Sequence, residues 1–193
     1  VGKGYTLFGT GEMGICNTST SSAVLMGLTD ISIESSVGKG AGLTDADYEN
    51  KKRVIERALE INKPDKSDVL DVISKVGGYD IAGMTGCFLG AAYYKVPIVI
   101  DGFISAVAAV AAYKLNPLVK DYIFASHCSE EKGYKHAMNI LGIEPILNLH
   151  MRLGEGTGCP LAFNIIEASQ AVVSNMATFE QAAINDDFLV DIR

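Results

Sequence analysis

The sequence predicts an α/β domain, a mostly parallel sheet covered by helices on both faces. Three observations carry that prediction. Short apolar runs alternate with helical segments along the whole chain. The runs are continuously apolar rather than alternating, as strands buried on both faces require. Several of them stop at a Gly-rich turn that carries an acid, and the carboxyl ends of strands are where such sheets bind ligands.

Residues 5–8 form the first run, followed by Gly9-Thr10-Gly11-Glu12-Met13-Gly14 and a helix over 18–28. Apolar residues at 54, 55, 58, 59 and 61 predict an amphipathic helix over 47–61. Ser67 is a candidate cap for a helix through residue 76, and 80–94 reads as the next. Residues 96–100 are the clearest strand, β-rich, with Pro97 near its start and Asp101-Gly102 at its end. An Ala-rich helix over 106–115 follows, then a strand over 122–125 ending at Ser126-His127. A helix over 130–141 and a strand over 145–149 lead into Leu153-Gly154-Glu155-Gly156-Thr157-Gly158. The last helix reaches about residue 176.

At 193 residues the chain is long enough for one well-filled core. Hydrophobic residues at 48% and charged residues at 20% describe a globular protein rather than a disordered one. A net charge of −7 argues against a nucleic-acid surface, which needs clustered Lys and Arg. The longest apolar stretch, 103–113, is too short to span a bilayer, so no membrane partner is expected. Residues 1–5 run straight into a strand-like segment with no signal-peptide pattern, and the expected setting is the cytoplasm. Cysteines at 16, 87, 128 and 159 lack the close pairing of a zinc knuckle or a disulfide framework. Reduced thiols are expected.

The candidate chemistry sits in the Gly-rich turns. Gly9-x-Gly11-x-x-Gly14, with Glu34 some twenty residues on, has the form of a dinucleotide fingerprint, which would make this an NAD(P)-dependent oxidoreductase domain. Against it, residues 15–22 are polar for a helix packed under a pyrophosphate. Helix N–H groups at this turn would hold Glu12 ionised, ready for ribose hydroxyls or for positive charge on a sugar; a solvated loop acid is the plain alternative. Glycines on both sides of Glu155 let the backbone turn tightly and expose one carboxylate to a cleft. Met151 and Leu153 nearby should desolvate it in part and raise its pKa from about 4.3 toward neutrality, as a general base requires. Otherwise Glu155 is a helix-start acid complementing the dipole. Asp101 can orient ribose hydroxyls or cap the next helix. Val37-Gly38-Lys39-Gly40-Ala41-Gly42 lacks the Walker spacing, leaving a looser phosphate loop with Lys39 or Lys51 as its cation. Ser126-His127-Cys128-Ser129 puts a nucleophile and a base side by side, yet adjacent residues rarely face each other.

Three stretches taken together resemble the nicotinate-nucleotide–dimethylbenzimidazole phosphoribosyltransferases of cobamide assembly. They are Gly11-Glu12-Met13-Gly14-Ile15-x-Asn17-Thr18, Asp101-Gly102-Phe103-Ile104-Ser105 and Arg152-Leu153-Gly154-Glu155-Gly156-Thr157-Gly158. Val37-Gly38-Lys39-Gly40, Ala125-Ser126-His127 and Met176-Ala177-Thr178-Phe179 match in the same order. The resemblance implies a three-layer Rossmann-like domain over residues 1–178, a tail over 179–193 belonging to a small helical region, and a homodimer. It implies a reaction in which an aromatic base attacks ribose C1′ of nicotinate mononucleotide and nicotinate leaves, with no metal or cofactor. Glu155 would take the proton from the base and Glu12 would lie beside the ribose. Gly14, Lys51 and Ser129 would hold phosphate, and Asn17, Gly38, Gly40, Asp101, Gly102, Leu153 and Gly154 would complete the substrate site.

Departures from the family pattern cluster near the reacting centre. Cys16 stands where the family has Gly, Tyr134 where it has His, and Cys159 where it has Ala. Family members are nearly twice this length, and their additional N-terminal region carries part of the aromatic-base pocket. The identity of the acceptor base, dimethylbenzimidazole or a phenolic relative, stays open at this point.

Overall fold

A computed structural model of the chain describes residues 1–40 and 42–183. The described residues divide into two compact units, Val1–Ala162 and a second beginning at Phe163. In the first unit, four strands form one all-parallel sheet in the order β1-β2-β3-β4. They are β1 (Phe8–Gly9), β2 (Ile98–Ile100), β3 (Ile123–His127) and β4 (Pro145–Leu147). Phe8 pairs with Ile98, Ile98 with Ile123, and Ala125 with Pro145. Because every pair is parallel, the turns after Gly9, Ile100, His127 and Leu147 emerge at one edge of the sheet.

Helices flank this sheet. Between β1 and β2 lie α1 (Asn17–Leu28), α2 (Ile33–Ser36), α3 (Asp45–Asn62), α4 (Val69–Val76) and α5 (Tyr79–Tyr94). Helix α6 (Phe103–Leu115) and a 3-10 turn (Pro117–Tyr122) separate β2 from β3, and α7 (Lys132–Leu141) separates β3 from β4. Helix α8 (Gly158–Asn175) starts in the first unit, and its residues from Phe163 belong to the second. The core centres on α6, which packs against α1, α5 and α7. Every residue from 103 to 112 is buried, so this helix is apolar all round, as a central helix must be.

Side-chain caps set the starts of α2, α3, α4 and the 3-10 turn. Thr44 accepts from the Asp47 amide, and Asp45 and Asp47 complement the dipole of α3. Helix α4 is capped by Asp68, which accepts from the amides of Leu70 and Asp71. The expected cap, Ser67, instead donates to Asp65. A carboxylate one residue closer reaches the free N–H groups better than the hydroxyl does. Helix α6 starts three residues earlier than expected, because Phe103, Ile104 and Ser105 all fall inside the core. The first strand shrinks to two residues; Tyr5 is exposed and finds no sheet partner. Two short elements, α2 and the 3-10 turn, carried too little periodicity to be foreseen. The expected tail over 179–193 falls for the most part outside the described residues. Among the described residues, no helix is long and apolar enough to cross a membrane.

Candidate active site

A buried network ties the strand ends together before any ligand group is added. Thr10 Oγ1 donates to the Val99 carbonyl at 3.1 Å and shares a hydrogen bond with Ser105 Oγ. Ser105 Oγ accepts from the Asp101 amide at 3.2 Å, and Ser126 Oγ donates to the Asp101 carbonyl at 3.0 Å. The Cys159 thiol points at the Thr10 carbonyl, 3.4 Å away. Four elements are thus registered to one another at the same edge of the sheet.

Above this network opens a cleft of about 180 Å³ lined by the turns after β1, β2, β3 and β4. Of the residues expected at the site, Glu12, Gly14, Gly40, Gly102, Ser129, Leu153 and Gly154 line it. Its volume lies below the roughly 300–1,000 Å³ typical of small-molecule pockets, which suits a sugar phosphate better than a dinucleotide.

Glu12 is held from two sides. Its Oε2 accepts from the Gly14 amide at 2.5 Å and from Asn17 Nδ2. The same Asn17 amide group also donates to Asp80 Oδ2 at 2.9 Å, so Asn17 fixes Glu12 from behind. Oε1 remains for the cleft, and a Cβ at Gly154 would stand 3.9 Å from it. The turns bearing Glu12 and Glu155 therefore meet. Their meeting depends on glycine: a Cβ on Gly11 would lie 2.6 Å from the Gly156 Cα, inside backbone.

Behind the part of the cleft wall formed by Thr18 and Gly40 sits a cation. Lys51, only 9% exposed, donates to Thr18 Oγ1 and to the Gly38 carbonyl, both at 3.0 Å. Burial holds its ammonium below the ordinary lysine range, while Glu131 pulls the other way. Its Nζ comes within 3.8 Å of where a Cβ on Gly40 would be. Gly38 itself is buried rather than cleft-lining, and any side chain there would collide with the Glu131 carboxylate. Ser129 Oγ accepts weakly from the Glu131 amide at 3.4 Å and faces Gly102.

Two expected residues sit differently. Asp101 was read as a group orienting ribose or capping its own helix; it does not cap α6, and its carboxylate faces the loop before α8. Only 1% exposed, its carboxylate accepts from Gly156 N–H at 3.0 Å and Gly158 N–H at 2.8 Å. It clamps the loop before α8. Glu155 was expected to be shielded by Met151 and Leu153, but it is exposed, and Leu153 is itself 66% exposed. Glu155 lies just outside the cleft wall, on a loop in which Gly154, Glu155 and Gly156 all have positive φ, at 74°, 57° and 76°. Positive φ at a non-glycine residue is uncommon and concentrates at functional sites.

Sequence reasoning gave His127 a nucleophile-pair reading and a place in a family stretch, Thr18 a place in another, and Asp80 and Glu131 none. His127 closes β3 and lines the cleft, fully buried, where its position as the last residue of an apolar strand could have flagged it. In the Ser126-His127-Cys128-Ser129 stretch no nucleophile is paired with the base: Ser126 Oγ is committed to the Asp101 carbonyl, and neither His127 ring nitrogen has a hydrogen-bond partner among the described residues. Among the described residues, no group of three or more His, Cys, Asp or Glu could hold a metal ion.

The dinucleotide fingerprint also fails in context. A dinucleotide site needs one strand–helix–strand unit of about 30 residues. Here five helices intervene between β1 and its neighbour β2, and α1 starts at Asn17, past the last glycine. Glu34 is exposed on the short helix α2, and the backbone of Gly156 occupies the approach to Gly11.

Fold and cleft together define a parallel α/β domain with carboxylates and a buried lysine gathered at the strand carboxyl ends. A phosphoribosyltransferase family model matches residues 1–184, and the chain belongs to the nicotinate-nucleotide–dimethylbenzimidazole phosphoribosyltransferase family. It is similar to the protein of that name from Clostridium tetani, 57% identical over all of this chain and 54% of the relative. The counterpart from Acetivibrio thermocellus is 57% identical over 94% of this chain and 52% of its own length. Among solved structures, CobT from Thermus thermophilus superposes with a TM-score of 0.88 at 34% identity, over 95% of this chain and 55% of that one. The chain spans about half the length of the curated relatives it matches.

Proposed function

We propose that this chain carries the phosphoribosyl-transfer site of a nicotinate-nucleotide–dimethylbenzimidazole phosphoribosyltransferase. Nicotinate mononucleotide is the donor, an aromatic base such as dimethylbenzimidazole the acceptor, and α-ribazole 5′-phosphate and nicotinate the products. The observation that carries the reading is the meeting of the Glu12 and Glu155 turns at a cleft whose Thr18 and Gly40 wall is backed by the buried Lys51.

In this reading the phosphate lies against Lys51, Gly14 and Ser129, with Gly40 leaving room for it. The ribose then reaches Glu12, whose carboxylate is already oriented by Asn17 and the Gly14 amide. Such a fixed negative charge stabilises the oxocarbenium-like sugar as nicotinate departs, with no reorganisation at the moment of reaction. Nicotinate leaves readily because its ring nitrogen is cationic while bonded to the sugar. Met13, Met151 and Leu153 supply an apolar rim for the acceptor ring. The acceptor attacks C1′ through its unprotonated nitrogen, and Glu155 removes the proton from the other nitrogen so that the product is neutral. Most of the rate comes from positioning two rings about one carbon. The wider expectations, a Rossmann-like catalytic domain over residues 1–178, a homodimer and a cytoplasmic setting, belong to the same proposal.

The direct test is to incubate the chain with nicotinate mononucleotide and dimethylbenzimidazole and to follow nicotinate and α-ribazole 5′-phosphate by chromatography. Both products should form in equal amounts. Binding of NADH, with no response to the mononucleotide, would remove the transferase reading.

A further inference from the structure

At the cleft floor lies a polar pair to which the proposed reaction gives no proton to remove. The side chains of Asp101 and His127 are each 2% exposed, with Oδ1 3.7 Å from Nε2. That separation is too long for a hydrogen bond and makes an ion pair when the imidazole is protonated. Neither ring nitrogen of His127 has a hydrogen-bond partner among the described residues. Each oxygen of the Asp101 carboxylate, by contrast, accepts one amide, from Gly156 and from Gly158.

A carboxylate so deeply buried costs several kcal/mol unless a positive charge stands beside it. Among the described residues, His127 is the cation partner that Asp101 has. Arg152 shares the cleft wall with His127 and carries a positive charge, but among the described residues the ion pair at Asp101 is made with His127 and not with Arg152. Tyr134 from α7 and Cys159 from α8 stay neutral, burial pushing the thiol up to about 12 and the phenol further above its usual value. Cys128 adjoins it in the chain, and Glu12, Glu130 and Glu131 share the cleft wall with it. Asp101 raises the imidazole above its ordinary range, against the opposing effect of burial.

We propose that His127 is a positioning residue: as an imidazolium it balances Asp101, and Asp101 holds the amides of Gly156 and Gly158 so that Glu155 stays beside the cleft. That Glu155 is the group presented rests on the transferase reading; the hold on the two amides does not. The three consecutive positive-φ residues of this loop need such an anchor, since no regular structure fixes them. With its pKa raised in the closed loop, His127 stabilises that state fully at low pH. The contribution is lost as pH rises through the raised value, leaving an unbalanced buried carboxylate that opening the loop would hydrate.

The test is amide hydrogen exchange at Gly156 and Gly158, followed by NMR across pH together with the His127 ring-proton shift. The ring should titrate above the ordinary imidazole value of about 6.5. Protection factors at these two amides should fall by roughly tenfold or more through the same titration, while α6 amides keep theirs. In His127→Gln the two amides should be poorly protected at every pH, and in Asp101→Asn the imidazole should titrate lower. Protection that stays flat while the wild-type ring deprotonates would overturn the proposal, as would a ring titrating at or below the ordinary value. No measurement here depends on turnover, so absence of nicotinate release would count against the transferase reading and not against this pair.

Discussion

Lys51 Nζ donates to Thr18 Oγ1 at 3.0 Å across 33 residues of sequence, which fixes α3 against α1 and sets one buried ammonium behind the cleft wall at Thr18 and Gly40. A second N–H goes to the Gly38 carbonyl, and the remaining donor capacity is what an incoming phosphate would use.

Lys51→Ala is expected to weaken nicotinate mononucleotide binding by about 1.5–3 kcal/mol, the usual strength of a hydrogen bond to a charged group. Calorimetric titration of wild type and variant checks this, and equal dissociation constants would remove Lys51 from the phosphate site. Wild-type affinity should also fall as pH rises through the Lys51 titration, which burial places below that of an ordinary lysine.

Glu155→Gln should leave nucleotide binding near normal and cut turnover by roughly a hundredfold or more, the effect of losing a general base. The side chain is exposed, so the fold is not at stake. Nicotinate release measured under saturating donor gives the answer; undiminished turnover would take Glu155 out of its role.

Gly11→Ala tests the meeting of the two acidic turns. Its new methyl would press on the Gly156 backbone, which cannot rotate away as a side chain could. A loss of about 1–3 kcal/mol of stability is expected, together with a fall in turnover. Thermal denaturation and the product assay on the same sample would show both, and an unchanged variant would mean the turns are not in contact.

Cys16 caps α1 at φ 64° with no side-chain hydrogen bond. Glycine tolerates this conformation and is the better cap, so Cys16→Gly should stabilise the chain by about 1 kcal/mol or less. A lower melting temperature for the variant would show that the thiol contributes something the backbone geometry does not reveal.

Thiol reactivity should divide by burial. Cys16 and Cys87 are exposed, whereas Cys159 is buried with its thiol pushed up to about 12. Iodoacetamide at neutral pH is expected to label the first two and spare Cys159 in the folded chain. Peptide mapping by mass spectrometry would detect the contrary.

Local chemistry made much of the molecule legible. Periodicity placed the long helices, because an amphipathic face or an Ala-rich run has to be buried whatever lies across from it, and 98–100 read as a strand for the same reason. Glycines around Glu12 and Glu155 marked turns, since glycine is the residue that tolerates such backbones. Strand ends slipped by two or three residues wherever pairing, and not composition, decides where a strand stops.

What the sequence by itself determined was the alternation of strands and helices, the acids and glycines of the turns, and a family whose motifs fall in order along the chain. Tertiary structure alone decided what those acids face. Asp101 and Glu12 are both turn carboxylates at strand ends, yet one is taken up by two loop amides beneath the cleft and the other keeps an oxygen for it. Burial, and which amide or cation lies within about 3 to 4 Å, comes from elements far apart in the chain. A one-dimensional pattern carries no such distances, so only the packed sheet could tell an anchor from a reacting group.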